Sequence, residues 1–246
     1  MWIFNKSKKL FLADIIPDGF IDIHSHILPG IDDGATTVEQ SVQLLCELSE
    51  LNISAFIATP HNIQGVWENS PEKVNQSLQA LQKQDNLPID ATKIRASSEY
   101  MLDNRFRELL KTNKVVALKD RYLLVEMSYI AAPINLYELL FELQDQGYKP
   151  ILAHPERYSF LHGNMAEYKR LKQVGCKFQL NLASITGYYG QGPNRAADEL
   201  LQAKLYDFVG TDVHHSRHIK ALKSNILLKK TDELQQIINA NLFFQI

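Results

Sequence analysis

The sequence is poor in cysteine: Cys46 and Cys176 are its only two, and they lie far apart. That excludes a disulfide framework or a thiolate zinc site, both of which need several cysteines. No export signal is visible between Met1 and Asp18, so two reduced, buried thiols and a cytoplasmic protein are expected. Neither cysteine opens a Cys-x5-Arg phosphate loop, since Asn52 and Leu182 stand where the arginine would be. A phosphate-cradling Gly-x4-Gly-Lys-Ser/Thr loop is also missing. No apolar run approaches the ~20 residues of a membrane helix, so no integral membrane segment is expected. Charge of one sign is lacking too: the formal net charge is −2, which does not argue for a nucleic-acid groove. There is no internal repeat, low-complexity tract or linker. At 246 residues and 45% hydrophobic, the chain has ordinary globular composition and enough length for one large core.

What is present is a series of short apolar runs that end in polar, metal-capable residues. Gly19 to Ile23 reads as a buried strand delivering His24 and His26, which a strand's alternation points to one face. Six more runs follow, ending at His61, Glu99, Glu126, His154, Asn181 and Asp212. Between them lie helical patterns near 38–51, 71 onward, 103–112, 135–146, 165–174 and 194–204, and two further helices finish the chain. Strands alternating with helices imply a parallel sheet, and one end of a parallel barrel gathers every strand C-terminus. Seven strand ends of this kind are far better explained by one shared site than by coincidence. The glycine-rich stretch Gly187 to Pro193 reads as a flexible loop lining that site. Residues 1–18 read as an extension. Leu10, Phe11, Ala13, Ile15 and Ile16 can form a short amphipathic helix behind Lys6, Lys8 and Lys9. Such an arm packs on the body or closes the bottom of a barrel; a weak membrane-surface contact is the alternative.

The candidate ligands are His24, His26, Asp33, His61, Glu99, Glu126, His154, Asp212 and His214. Nine nitrogen and oxygen donors are too many for one ion and suit two or three bridged by a carboxylate. With no sulfur among them, Mn²⁺, Fe or Zn²⁺ fits. Clustered metals generate hydroxide near neutral pH and clamp the oxygens of an in-line displacement, most often on phosphate. Arg157 and Arg217 each follow a candidate histidine by three positions, and a guanidinium grips two phosphate oxygens at once. Asp22 is placed to hold a ligand histidine or to cap the strand end. His162, His215 and His218 read as surface or loop histidines.

His24-x-His26, Thr59-Pro60-His61, Glu99, Glu126, His154-Pro155-Glu156-Arg157 and Thr211-Asp212-Val213-His214 resemble the PHP (polymerase and histidinol phosphatase) superfamily. Asp22 to Gly34, with its Asp32-Asp33-Gly34 element, and Glu126 resemble one branch closely. That branch is the bacterial manganese-dependent tyrosine-protein phosphatases of capsule and exopolysaccharide loci. The resemblance implies a distorted (β/α)7 TIM-like barrel as a single domain over 19–246, with 1–18 outside it. It also implies Mn²⁺ in three sites. The first takes His24, His26, Glu99 and Asp212. The second takes Glu99, Glu126 and His154, with Glu99 bridging. The third takes Asp33, His61 and His214. Arg157 and Arg217 would bind phosphate, and a metal-bridging hydroxide would attack phosphorus directly. The implied substrate is phosphotyrosine on the tail of a bacterial tyrosine autokinase. A small-molecule phosphatase, such as one acting on histidinol phosphate, and a metal-binding regulatory module without turnover are the alternatives.

Overall fold

The computed structural model describes residues 9–229 and 231–245. Strands and helices alternate: β1 (Phe20–Asp22), α1 (Val38–Ser49), β2 (Ile53–Ala58), β3 (His61–Asn62), α2 (Pro71–Gln82), β4 (Ile94–Ala96), β5 (Glu99–Met101) and α3 (Asn104–Lys111). They continue with β6 (Tyr122–Glu126), α4 (Leu136–Asp145), β7 (Lys149–Ala153), α5 (Met165–Gln173), β8 (Lys177–Asn181), α6 (Gln191–Gln202), β9 (Phe208–Gly210), α7 (Ser216–Leu222) and α8 (Asp232–Ala240). Every strand pairing is parallel. The strands form a sheet ordered β1-β2-β4 and a second ordered β3-β5-β6-β7-β8-β9.

Two expected strands are interrupted. The run ending at His61 breaks at Thr59-Pro60, where proline has no N–H to give a ladder, and the run ending at Glu99 breaks at Ser97-Ser98. Hydrogen bonds still cross these gaps, from Thr59 N to Ser25 O (2.8 Å), Ser97 N to Ala58 O (2.8 Å) and Glu99 N to Pro60 O (3.0 Å). On the other flank, Ser25 bridges Val213 in parallel, joining the chain after β1 to the chain after β9.

Strand alternation divides the core in two. Phe20, Phe56, Val125, Leu152, Phe178, Leu180 and Val209 pack in the larger cluster, with the apolar stripes of the helices. Ile21, Ile23, Ile57, Leu124, Ile151, Ala153 and Phe208 make a smaller cluster on the opposite face. Phe244 completes that second cluster, and the Asn241 side chain ties Ile21 to Val209. The C-terminal segment therefore covers the N-terminal ends of the strands, a place the extension 1–18 was one candidate to fill. The extension's described part makes only a 3-10 turn over Leu12–Asp14, too short for the expected helix, with Leu12 and Ile16 buried. Leu10 O accepts from Ile226 N, so this arm lies on the body near α7. Lys6 and Lys8 lie outside the described residues.

Side-chain caps set the helix starts. Thr37, Ser70, Asp103 and Asn164 each accept a backbone N–H in the first turn of α1, α2, α3 and α5. Helix α6 begins at Gln191, before Pro193 rather than after it, because first-turn N–H groups have no helical partner and proline loses nothing there. Cys46 is exposed, contrary to expectation, while Cys176 is buried, which pushes its thiol up to about 12.

Candidate metal centre

All nine candidate ligands converge: His61 and Glu99 open the short strands β3 and β5, Glu126 closes β6, and the other six lie in the turns that follow β1, β7 and β9. Four overlapping groups of donors within 4.8 Å of one another are found among the described residues: His26–Asp33–His61–His214, His24–Glu99–His154, His24–His26–Asp212 and His61–Glu99–Glu126. Glu99 lies at the middle, fully buried. Its Oε2 is 3.0 Å from His61 Nδ1, 3.2 Å from His24 Nε2 and 3.4 Å from His26 Nε2. Its Oε1 is 3.1 Å from His154 Nε2. Asp212 Oδ1 stands 3.3 Å from both His24 Nε2 and His26 Nε2. Asp33 is half-exposed and reaches His214 Nε2 at 3.4 Å and His61 Nε2 at 3.6 Å. Glu126 Oε1 is 2.8 Å from His61 Nδ1 and falls in a group with His61, while His154 falls in a group with His24. The two residues of the expected second ion thus meet through Glu99 rather than directly.

This donor set fits divalent ions. Glu99 Oε2 is a buried carboxylate oxygen with no directed hydrogen bond, although three imidazole nitrogens surround it. An uncompensated buried charge is expensive, and a cation relieves it. Ligand atoms on an ion with bonds of about 2.0–2.2 Å sit roughly 3 Å apart, the spacing found here. The local field points the same way. Burial opposes a charged His24, yet Glu99 and Asp212 outweigh it and raise its pKa. Burial and the neighbouring His26 oppose a charged His61, and Glu99 and Glu126 overcome both. Burial, and then the negative Glu99, push Glu126 up to about 7, so these carboxylates repel one another until positive charge lies between them.

Two ligand candidates take backbone conformations that L-residues avoid: His154 has φ 36° and Asp212 φ 52°. Such strain persists where surroundings over-determine it and clusters at functional sites. At His154 the left-handed residue breaks the strand's alternation, so the imidazole follows Ala153 onto the inner face instead of pointing away. The close approach of the chains needs glycine at 210: a Cβ there would lie 2.7 Å from His24 Cβ and 2.8 Å from Gln179 Nε2.

Several positioning residues carry no strand-end signature. His24 Nδ1 donates to Gln179 Oε1 at 2.8 Å, and His26 Nδ1 donates to Asp32 Oδ2 at 2.8 Å. These contacts turn both Nε2 atoms toward Glu99 and Asp212. Asp32 also accepts from Gly34 N and His61 N, which sets the turn that presents Asp33. Asp22 holds no imidazole. It accepts from the backbone N–H groups of His24 and Thr211 and from the Thr211 hydroxyl, tying β1 to the end of β9. Asn181 donates to Asp212 Oδ2 at 2.8 Å. Glu156, buried, accepts from Asn181 N, Ser184 Oγ and Tyr206 OH, which anchors the turn after His154.

Arg157 Nη1 donates to Asp212 Oδ2 at 2.6 Å, and its guanidinium lies between the rings of Tyr129 (4.7 Å) and Tyr189 (4.0 Å). It lines a cleft of about 190 Å³ with Asp33, Tyr189, His214, His215 and His218. His218, read from sequence as a surface or loop residue, is buried and accepts from His214 N at 3.1 Å. Arg217 is exposed and lines an adjoining cleft of about 430 Å³ beside Asp33, His214 and the first turn of α1. His162 lies away from the centre, against Glu156 O and Gly192.

A model of the capsular polysaccharide synthesis CpsB/CapC family matches residues 20–241. The chain belongs to this family. It is 30% identical over 231 residues to the tyrosine-protein phosphatase YwqE of Bacillus subtilis strain 168, covering 90% of this chain and 89% of that protein. It is 27% identical over 201 residues to the tyrosine-protein phosphatase CpsB of Streptococcus pneumoniae, covering 79% and 83%. Among solved structures, one described as YwqE and CpsB, unique metal-dependent tyrosine phosphatases, aligns with TM-score 0.79 and 28% identity. That alignment covers 91% of this chain and 94% of the other. The CpsB/CapC match begins at the first residue of β1.

Proposed function

We propose that this chain is a metal-dependent protein-tyrosine phosphatase whose substrate is phosphotyrosine on the tail of a bacterial tyrosine kinase that controls capsule or exopolysaccharide synthesis. The observation that carries this reading is the convergence of nine nitrogen and oxygen donors on buried Glu99, with Arg157 beside them, in a chain of the CpsB/CapC family. We read the two sheets as one distorted barrel of seven strands over 19–246. The hydrogen bonds across both interruptions and the Ser25–Val213 bridge support that reading. The ion is Mn²⁺ in this proposal, with Fe or Zn²⁺ chemically admissible at the same donors. A cytoplasmic setting suits a chain with two free cysteines.

His24, His26, Asp33, His61, Glu99, Glu126, His154, Asp212 and His214 would hold the ions. When bound, they supply a water acidified toward neutral pH and positive charge against phosphate oxygens. The chain's own groups do the rest. Gln179 and Asp32 keep the two central imidazoles aimed inward. Asp212 and the Tyr129 ring hold Arg157 in place, so that its free N–H groups meet the non-bridging oxygens as charge shifts toward the leaving group. Arg217 adds a second positive charge from the wider cleft. A tyrosine phenol has a pKa near 10, so its oxygen leaves far more readily than a serine alkoxide. Gln179→Leu removes the acceptor for His24 Nδ1 while keeping bulk. It is expected to weaken metal affinity about 10–100-fold, read by metal titration.

The substrate assignment is tested with peptides matched except for phosphotyrosine, phosphoserine or phosphothreonine, with histidinol phosphate alongside. Clear preference in kcat/KM for the phosphotyrosine peptide is expected. Faster turnover of histidinol phosphate would overturn the assignment.

A further inference from the structure

Two rings bracket Arg157, but they are not equivalent. Tyr129 stacks on the guanidinium and on His154 (5.7 Å, 25°), and its hydroxyl lies 3.5 Å from His154 Nε2. The guanidinium lies over the Tyr189 ring at 4.0 Å, and of the two rings Tyr189 is the one that lines the 190 Å³ cleft. Tyr189 is held from three directions: by Arg157 at 4.0 Å, by Asn181 Nδ2 donating to its hydroxyl at 3.2 Å, and by the perpendicular ring of Tyr188 at 4.9 Å. Left-handed Gly187 (φ 82°) and Gly190 (φ 90°) bracket this tyrosine pair and fold it back over the site. Of the remaining lining, His215 and His218 stack at 4.1 Å and Tyr189 lies 6.1 Å from His218, while Asp33 and His214, 3.4 Å apart, complete it on the side of the metal centre.

The cleft, of about 190 Å³, shares Asp33, His214 and His215 with the adjoining cleft of about 430 Å³. Beside Arg157 it offers aromatic side chains that suit a phosphate carrying a ring. Arg157 already has Asp212 and Tyr129 to orient it, so a second stacked ring facing the cleft serves the other end of the ligand. We propose that Tyr189 is the specificity-determining residue of this site, forming with the His215–His218 pair an aromatic wall that selects aryl over alkyl phosphate esters. The proposal rests on the phosphate-ester reading of the metal centre. It assigns the choice of aromatic substrate to the loop between β8 and α6, not to the ligands.

Phosphonates separate binding from leaving-group chemistry. Calorimetry on the metal-loaded protein with phenylphosphonate and methylphosphonate gives the ratio of their affinities. That ratio is expected to favour the phenyl compound in the parent protein. It should fall about tenfold in Tyr189→Ala and in Tyr189→Leu, which keeps bulk without a ring, and by less than about threefold in Tyr189→Phe. Equal weakening of both phosphonates would show that Tyr189 acts only through Arg157 and would overturn the proposal, as would an unchanged ratio. Failure of the parent protein to bind either phosphonate, or to hydrolyse any phosphate ester, would instead count against the phosphatase reading itself.

Discussion

Glu99→Gln is expected to lower kcat toward p-nitrophenyl phosphate by on the order of a thousandfold, with the protein still folded. Among the described residues, Glu99 is the one carboxylate within 3.4 Å of four imidazole nitrogens, from His24, His26, His61 and His154. The amide keeps the shape and one acceptor but removes the negative charge shared by at least two donor groups. Positive charge held at this centre weakens, and with it the acidity of any bound water. Elemental analysis should find fewer ions per chain. The fold should persist because His24 and His26 keep Gln179 and Asp32 as partners, and no apolar contact is lost. Near-normal metal content and turnover would mean that Glu99 is only a polar strand end.

Arg157→Ala is the second large effect. Its guanidinium touches Asp212, so the change removes the proposed phosphate contact and loosens a metal-ligand candidate together. A contact that strengthens as charge develops lowers kcat and kcat/KM in parallel, here by about 10²–10³-fold, whereas loss of uniform binding raises KM alone. Arg157→Lys should recover little, because an ammonium neither stacks flat between Tyr129 and Tyr189 nor spans two oxygens. An increase in KM with kcat unchanged would reassign Arg157 to ground-state binding.

Most ligand candidates were legible because they end apolar runs, and a parallel sheet brings strand ends to one edge; Asp33 and His214 lie in the loops beyond and were legible through the resemblance. The residues that aim them were not. Gln179 sits mid-strand in β8, two residues before Asn181 and so on the same face, and that alternation was the available signal. Asp32 and Asp33 are adjacent in sequence but divide their work: one holds His26 while the other faces His61 and His214. Nothing in a dipeptide decides which is which. Tyr129 and Tyr189 come from loops, where no periodicity fixes direction. Burial of His218 depends on the packing of α7 against the centre, a tertiary fact that a seven-residue helix does not announce. The interruption at Thr59-Pro60 follows from Pro60, whereas the one at Ser97-Ser98 carries no such signal; the start of α6 ahead of Pro193 needed the rule that first-turn prolines are tolerated. Asn241 and Phe244 close the strands' N-terminal ends, while the described part of the N-terminal arm takes the other expected place, packed on the body; which terminus does which depends on three-dimensional proximity.

The central claim is that these nine donors form a metal centre on which hydrolysis depends. The direct measurement is turnover of a phosphotyrosine peptide by protein stripped with a strong chelator, then titrated with Mn²⁺ while bound ions per chain are counted. The account predicts that activity vanishes on stripping and returns in step with the filling of two or three ions per chain. Full activity in protein shown by elemental analysis to carry no metal would contradict it.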